Sequence, residues 1–361
     1  MIPQVARALT LILTLMMVLG CGAPALAQAP ALPANVTINE LVAPFAPALT
    51  LLDKAPTSIE RPETPKAFAV NVLNKISEAG GFPKDYALQF APYWLKSHPD
   101  LSFASYQSPN FRQTLARTFA VSIATGPLKA VSGAEPGTQI SLGASTQLIG
   151  GRANPALPRA VEDLEKVMDV YLDLLAGKPT ERQLADAEKA ITAQALKIQK
   201  LDAQRVGFLL TIAGGQVWDV TGDDVRNTTT GRRGFWMTPA YRFIARCDTE
   251  CAAAVDLIGV LRILKDEGRD AMTDVGGRVV WKPTRQFNVS VEAVRRRVPG
   301  RNDDPVQTST RAAGMLEYRI TEDFALYGTF GQDFKKATGV KPLVSLVGLN
   351  VGFGNVKVKP R

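Results

Sequence analysis

Apolar residues alternate with small or polar residues along most of the chain from Tyr86 onward, and turn-forming residues divide this pattern into segments. The segment 287–294 illustrates it, because its odd-numbered residues are all apolar and three of its four even-numbered residues are polar. Residues two apart lie on the same face of a β-strand, so each segment predicts a strand with two different faces. The predicted strands are 86–95, 117–125, 140–148, 206–218, 234–246, 253–263, 274–283, 287–294, 308–320, 324–333 and 343–353.

The length of these segments separates two classes of β-protein. Strands of a soluble β-sandwich usually have about five or six residues, whereas a tilted strand that crosses a membrane needs about ten, as many of these segments have. After Gly20 no apolar run is long enough for a membrane-spanning helix. The pattern therefore predicts an all-β fold, an antiparallel transmembrane β-barrel of about 12 strands. The alternative is a soluble periplasmic β-rich binding protein.

Aromatic residues near the ends of the predicted strands fit such a barrel, because membrane barrels carry aromatic girdles at both interfaces. The packed core of a soluble protein also uses aromatic residues, so this signal supports the length argument without replacing it. The residues concerned are Tyr86, Tyr93, Trp94, Phe235, Trp236, Trp281, Phe324 and Phe353.

The segment 158–204 interrupts the alternation, because its apolar residues recur at spacings of three and four. Gly177 and Pro179 divide it, and Thr180 with Gln183 has the spacing of a capping box that begins a second helix. We predict an inserted hairpin of two amphipathic helices. Its apolar stripes either bury each other or dock a periplasmic protein partner.

The N-terminal residues 1–27 have the features of a secretory signal peptide. Arg7 precedes an apolar run that ends at Gly20, and Ala25-Leu26-Ala27 supplies small residues at the cleavage positions. An alternative is lipidation at Cys21, because residues 18–21 resemble the lipobox of bacterial lipoproteins.

Residues 28–67 contain seven prolines and predict a linker or extended arm. The residues that follow, 67–76, predict either a short helix or the first strand of the barrel.

The chain carries 42 Lys and Arg residues against 34 Asp and Glu residues, a formal net charge of +8. The basic residues are dispersed and the protein is predicted to be exported, so nucleic acid is not an expected partner. Cys247 and Cys251 remain after signal cleavage, and they predict a disulfide in an oxidising compartment. His98 is the only histidine, so we expect no metal site and no cofactor.

Charges on the face assigned to the barrel interior bear most directly on function. In a water-filled lumen, the two-to-one excess of basic residues on this face would favour anions. The alternative is a sealed lumen in which the arginines and carboxylates pair as a polar core. The basic residues are Arg242, Arg246, Arg262, Arg278, Lys282, Arg296, Arg311 and Arg319, and the acidic residues are Asp256, Glu292, Glu317 and Asp333.

The motifs of common enzyme classes are absent from the sequence. It contains no Gly-x-Ser-x-Gly elbow, no Walker-type loop and no His-Glu-x-x-His pair, so we expect a non-enzymatic protein. His98 supports one alternative, a barrel-embedded hydrolase, because outer-membrane phospholipases use a histidine and a serine on barrel strands.

The segment 343–354, the long alternating strands and the signal peptide together resemble the outer-membrane β-barrel proteins of Gram-negative bacteria, as a class. The resemblance implies a barrel over 68–354, an outer-membrane location and membrane lipids as partners. The chain departs from the class at residues 355–361, where a basic tail follows the final strand. The implied function is a passive, anion-leaning channel or a structural and interaction platform.

Loop lengths predict the orientation, because outer-membrane barrels have short periplasmic turns and longer external loops. The connections at 283–285 and 321–323 are short, so we assign them to the periplasm. Counting strands from the C-terminus then places the helical hairpin and the Cys247 to Cys251 turn on the same side, with 221–234 external.

Overall fold

The computed structural model describes residues 36–38, 46–53, 55, 67–72, 86–96, 98, 100–128, 137–152, 154–200, 205–221, 228–244, 254–284, 286–300, 305–321, 324–334, 342–352 and 356–358. The predicted signal peptide, Cys21, Arg246 and both cysteines of the predicted disulfide lie outside these residues. Those interpretations therefore stay predictions.

Antiparallel β-strands make up most of the described chain, which confirms the predicted antiparallel β class. The strands are β1 (Val36–Ile38), β2 (Ala67–Val72), β3 (Tyr86–Phe90), β4 (Ala120–Leu128), β5 (Gly137–Arg152), β6 (Val206–Thr221), β7 (Thr228–Ile244), β8 (Ala254–Asp266), β9 (Met272–Lys282), β10 (Phe287–Val298), β11 (Gln307–Arg319), β12 (Phe324–Gln332), β13 (Leu343–Gly352) and β14 (Val356–Val358).

Strands β2 to β13 pair in chain order, and β13 pairs with β2, so these twelve strands of the described chain form a closed ring. Each of the eleven segments predicted from alternation overlaps one strand of this ring, although the strand predicted over 86–95 ends at Phe90 and residues 92–95 form a 3₁₀ helix instead. The segment with two readings, 67–76, supplies β2 rather than a helix. Two register shifts in the pairing of β5 with β6 and one in that of β6 with β7 mark β-bulges in the longest strands.

The helices lie between the strands. They are α1 (Pro47–Leu51), a 3₁₀ helix (Pro92–Leu95), α2 (Phe103–Gln107), α3 (Phe111–Thr118), α4 (Ala156–Ala176) and α5 (Glu181–Lys200). No helix in the described part of the chain combines the length and the apolar character needed to cross a membrane.

The predicted helical hairpin corresponds to α4 and α5, between β5 and β6. The predicted capping box is confirmed, because the backbone N–H of Thr180 donates to the side chain of Gln183 and the N–H of Gln183 donates to Thr180 Oγ1. Residues 111–118 form α3, so the strand predicted from residue 117 begins later, at Ala120. The helix is favoured there because Asn110 and Gln113 form a second capping box.

The two ends of the ring differ in what they carry. The helical hairpin, the connection from β3 to β4 and the short turns after β9 and β11 all lie at one end, called here the hairpin end. The C-terminal ends of β4, β6, β8, β10 and β12 lie at the opposite end, called the far end. The hairpin and the short turns therefore share one end, as strand counting predicted.

The basic tail includes a short strand. β14 pairs with β1 in an antiparallel two-stranded sheet, and β1 contacts α5. The two ends of the described chain therefore meet beside the helical hairpin.

Candidate functional site

The strands bury polar residues and expose apolar residues, which is the reverse of the pattern in a soluble protein. On β10 the inward residues Asn288, Ser290 and Glu292 are buried, while the outward Val291 is 61% exposed. The same arrangement holds around the ring from β7 to β12. On each of these strands, residues at alternate positions face inward and the residues between them face outward. Exposed outward residues include Phe235, Tyr241, Phe243, Leu257, Leu261, Ile263, Val275, Val279, Trp281, Leu316, Tyr318, Phe324, Leu326 and Phe330. Trp236, by contrast, is inward and buried, so its predicted place in an aromatic girdle was wrong.

A first ion-paired cluster lies inside the ring near the hairpin end. Arg242 and Asp256 are directly opposite on β7 and β8, and their side chains form two hydrogen bonds of 2.7 and 2.9 Å. Lys282 Nζ lies 3.4 Å from the same carboxylate. All three side chains are at most 4% exposed, so water does not reach them freely and the charges stabilise one another.

A second cluster lies near the far end and centres on Asp274. This residue is paired in register with Arg262 on β8 and with Arg296 on β10, so a basic residue flanks it on each side. Arg296 donates two hydrogen bonds to its carboxylate at 2.8 and 2.9 Å, and Arg262 Nε lies 3.5 Å away. The Asp274 side chain is fully buried. Its charge is therefore balanced by two arginines on neighbouring strands.

Other inward polar residues of the C-terminal half also have partners. Arg311 lies 3.3 Å from Glu292 and 3.6 Å from Asp333. The side-chain amide of Asn288 donates to Glu317 at 3.1 Å, and Arg278 donates to Ser290. The interior of strands β7 to β12 is thus a network of paired polar groups packed among apolar residues.

The other side of the interior is occupied by α1. Pro47 favours the first turn of a helix because its φ angle is fixed at a helical value and its missing N–H is not needed there. The backbone N–H of Ala48 donates to Ser122 Oγ on β4 at 3.0 Å. Leu49 and Leu51 are at most 1% exposed and join a cluster with inward residues of the wall, including Trp236 and Leu264. The helix is therefore packed inside the ring.

Glycines on the wall make room for α1. A Cβ atom added at Gly143 would lie 2.8 Å from Pro47 Cβ and 2.9 Å from the Ala48 nitrogen. One added at Gly234 would lie 3.0 Å from a methyl group of Leu51. Both distances are shorter than ordinary contacts, so side chains at these positions would compete with the helix for space.

Asp53 ends this segment and holds it to the wall through ion pairs that we call the latch. Its φ angle of 54° lies in the left-handed region, which aspartate tolerates better than most residues. Its carboxylate pairs with Arg232 on β7 and lies 3.6 Å from Arg296 on β10. Arg232 also pairs with Asp266 at 2.6 Å and donates to the carbonyl of Leu51. The latch therefore connects the C-terminal end of α1 to the second cluster.

The surroundings of Asp53 lower its pKa. Burial alone would raise the pKa, but the charges of Arg232 and Arg296 and the hydrogen bond from Arg232 outweigh this effect. A carboxylate with a lowered pKa stabilises the folded state above its unfolded pKa, here 3.8, and that contribution is lost as the pH falls through the folded value. The latch is therefore complete at neutral pH and weakens in acid.

Acidification below the pKa of Asp53 is expected to loosen α1. Amide hydrogen exchange of residues 48–52, corrected for the intrinsic effect of pH, should be faster at a pH low enough to protonate Asp53 than at pH 7, relative to the amides of β4. Asp53→Asn should show the faster exchange already at pH 7 and little further change in acid. Equal protection of the helix at both pH values in the unmodified protein would contradict a role for the latch.

The predicted lumen residues that the structure describes lie on the inward face of their strands. Arg242, Arg262, Arg278 and Arg311 are inward and at most 4% exposed. Arg296 and Lys282 belong to the two clusters, and Arg319 has the same parity as the buried Glu317 at the end of β11. Arg246 lies outside the described residues.

Sequence reasoning missed four of the charged residues in the interior: Arg232, Asp266, Asp274 and Asp53. Asp274 stands at an even-numbered position on the same strand as Arg278 and Lys282, so alternation alone placed it inward. Arg232 and Asp266 lie beyond the strand ends that the sequence predicted. On the inward face of β7 to β12, with the adjoining Asp333 and with Asp53 included, there are eight basic residues (Arg232, Arg242, Arg262, Arg278, Lys282, Arg296, Arg311, Arg319) against seven acidic residues (Asp53, Asp256, Asp266, Asp274, Glu292, Glu317, Asp333). The two-to-one basic excess expected from the sequence is therefore much smaller in the structure.

His98 lies in an aromatic cluster in the connection between β3 and β4. Its ring stacks on Tyr93 at 3.9 Å between centroids, and Trp94 meets it edge-on. Its Nε2 atom is 2.7 Å from the carbonyl oxygen of Tyr93. A carbonyl oxygen only accepts hydrogen bonds, so in this arrangement Nε2 carries the proton and Nδ1 is the ring nitrogen that can accept one.

Helices α4 and α5 bury their apolar stripes against each other. Leu164, Ile191 and Ile198 are at most 2% exposed, and Gln194 donates to the carbonyl of Ala160 across the pair. Tyr171 donates to Glu188 at 3.3 Å, and burial together with this carboxylate raises the pKa of the tyrosine. Four apolar residues of the hairpin stay about half exposed: Val170, Leu172, Leu175 and Leu196.

Across the side chains that the structure describes, no group of three or more histidine, cysteine, aspartate or glutamate residues is arranged to hold a metal ion.

Comparisons with known proteins add little to this description. No protein-family model matches the chain, and no curated protein matches it. Among solved structures, the chain is similar to the outer-membrane expressed OmpT of Vibrio cholerae, with 10% identity over 79% of this chain and 93% of that one and a TM-score of 0.24. A TM-score of this size is too low to support a conclusion about fold or function.

Proposed function

We propose that this chain is an outer-membrane β-barrel protein of a Gram-negative bacterium, and that it acts as a non-enzymatic structural or interaction platform with a closed lumen. The observation that carries the proposal is the reversed pattern of faces. An apolar, exposed outer surface needs a lipid environment, because a large exposed apolar surface is unfavourable in water. Strands of nine to seventeen residues from β4 to β13 have the length that a tilted membrane strand requires.

Closure of the lumen is supported by its contents. Most inward charged side chains of β7 to β12 are buried and have polar partners, and α1 occupies the side lined by β4 to β7. An open, water-filled passage would instead leave these groups exposed to solvent. This favours the platform over the passive channel.

A second candidate function, an anion-leaning channel, depends on movement of α1. Withdrawal of Asp53 would remove an acidic residue from the interior and leave Arg232 and Arg296 facing the vacated space. A passage opened in this way would carry an excess of positive charge, which attracts anions.

A platform also needs a surface for a partner. The half-exposed apolar residues of the helical hairpin offer one at the hairpin end, which we assign to the periplasm because of its short turns. A barrel-embedded hydrolase using His98 is a weaker candidate, because His98 lies in the connection between β3 and β4 and not on a strand of the ring.

Cell fractionation and electrical recording test the proposal together. The protein is expected in the outer-membrane fraction, extracted only by detergent, and folded protein in planar bilayers should give no stable conductance steps at neutral pH. Recovery in the soluble periplasmic fraction would overturn the membrane barrel. Stable conductance from unmodified folded protein would overturn the closed lumen and favour the channel.

A further inference from the structure

Four basic side chains lie on the outward face of the wall near the far end. Arg233 is on β7, Lys265 is on β8, and Arg295 and Arg297 are on β10. All four are exposed, and the residues next to each of them along the strand face the interior of the ring. We call these four residues the basic rim.

Two members of the basic rim stand directly opposite each other. Arg233 and Lys265 are register partners on adjacent strands, and directly opposed residues have Cβ atoms about 5 Å apart. Like charges at this distance destabilise a sheet. Arg297 on β10 is in register with Thr273 on β9, and Thr273 is in register with Ile263 on β8. Ile263 is two residues before Lys265. Arg295 and Arg297 therefore lie at nearly the same height on the wall as Arg233 and Lys265.

The basic rim differs from the inward arginines of the same strands. Arg232, Arg262 and Arg296 each pair with a carboxylate inside the ring. Within the part of the chain that the structure describes, none of the four rim residues has an ion-pair partner. The nearest acidic residue in sequence, Asp266, pairs with Arg232 inside the ring, and Glu267 and Asp270 lie in the turn that also carries Arg269. Among the residues that the structure describes, the rim therefore presents concentrated positive charge that no ion pair on the outward face balances.

The position of the basic rim relative to the apolar surface indicates what it binds. On the hairpin-end side of the rim, the same strands expose Phe235, Ile263 and Val291. At the opposite border of this apolar surface, the exposed residues are aromatic: Tyr241, Phe243, Trp281 and Tyr318. The two borders would meet the two leaflets of a membrane, and among the described residues of these two borders the basic ones lie at the far end.

We propose that the basic rim binds the phosphate groups of a phosphorylated membrane lipid in the leaflet at the far end. A lipid of this kind places acyl chains against the apolar surface and its phosphates at the border, where Arg233 and Lys265 bracket one site and Arg295 and Arg297 a second. Arginine and lysine are the side chains that bind phosphate most strongly. A bound phosphate also relieves the repulsion between the opposed Arg233 and Lys265. This inference rests on the proposed function, because it needs the wall to lie in a membrane.

The experiment compares lipid retention by three forms of the full chain reconstituted in phosphatidylcholine vesicles containing the diphosphorylated glycolipid lipid A. The forms are the unmodified protein, a rim variant (Arg233→Gln, Lys265→Gln, Arg295→Gln, Arg297→Gln) and a matched control. The control neutralises four exposed basic residues of the helical hairpin, Arg159→Gln, Arg182→Gln, Lys189→Gln and Lys197→Gln, so that net charge changes equally. Bound lipid A is counted by native mass spectrometry after purification.

The rim variant is expected to bind lipid A at least about tenfold more weakly than the other two forms, since each basic residue near a membrane contributes substantially to anionic-lipid binding. Equal binding by all three forms would overturn the inference. Displacement of lipid A by millimolar inorganic phosphate would assign the site to free phosphate and overturn the lipid assignment. Vesicle flotation distinguishes failure of this inference from failure of the proposed function. Protein that inserts without preferring lipid A contradicts only lipid binding by the basic rim, whereas protein that does not float contradicts the membrane barrel.

Discussion

Replacement of Asp274 by asparagine is expected to destabilise the barrel by about 3 to 5 kcal/mol, the range measured when one partner of a buried ion pair is removed. Asp274 is fully buried and is the carboxylate shared by Arg262 and Arg296. The substitution keeps the size of the side chain and removes only its charge, so both arginines lose the group that balances them. Unfolding of the detergent-solubilised protein by urea, followed by loss of heat-modifiable migration, measures the change.

Two further variants make this result specific. Asp270→Asn makes the same chemical change in the exposed turn after β8, and little change in stability is expected. Asp274→Asn combined with Arg296→Met removes one of the two unbalanced charges, so it should recover part of the loss. If Asp274→Asn unfolds at the same urea concentration as the unmodified protein, the second cluster does not stabilise the wall.

Replacement of Gly143 by valine is expected to expel α1 and open a conducting passage. The new side chain would overlap Pro47 and the backbone of Ala48, and a backbone segment cannot move aside as a flexible side chain can. Burial of Leu49 and Leu51, worth about 1.5 to 3 kcal/mol each, would be lost with the helix. Planar bilayers should then record conductance steps with a reversal potential that favours anions, because Arg232 and Arg296 would face the passage.

Gly328→Val on β12 is the matched control, since nothing lies within 4 Å of the added Cβ there. This variant should show no conductance steps. Leu51→Asn changes the helix rather than the wall, so it tests the same idea if the Gly143 variant does not fold. A folded Gly143→Val protein without conductance, in which residues 48–52 stay protected from exchange, would refute the assignment of α1 as the seal.

The wall was predictable from sequence because alternation is a local property. Each strand of ten or more residues repeats its inward and outward positions several times, so the register of Arg278 or Glu317 follows from its neighbours. Strand ends were less predictable. The positions of Arg232 and Asp266 depend on how far the pairing of β7 with β8 continues, and only the partner strand determines this.

The contents of the lumen were not predictable in the same way. Residues 46–53 were included in a predicted linker because prolines and alanines dominate that stretch, yet α1 is among the most buried segments of the chain. Five residues of helix carry too little periodicity to indicate a face. Their position depends on space left by glycines about 95 to 190 residues away, such as Gly143 and Gly234, and on the charge of Arg232. Such contacts are long-range and leave no local pattern.

The wall is also uneven in how firmly its strands are joined. Counted over the residues that the structure describes, β10 and β11 share twelve paired positions, whereas the three successive junctions from β13 through β2 and β3 to β4 share five each. One of these junctions joins the first strand of the ring to the last, so it forms only after the whole chain has been made. The junctions from β13 to β4 are thus held by fewer backbone hydrogen bonds than the rest of the ring. On heating or under mechanical load we expect the strands to separate first at these junctions, and an early rise in amide exchange of residues 67–72 would reveal it.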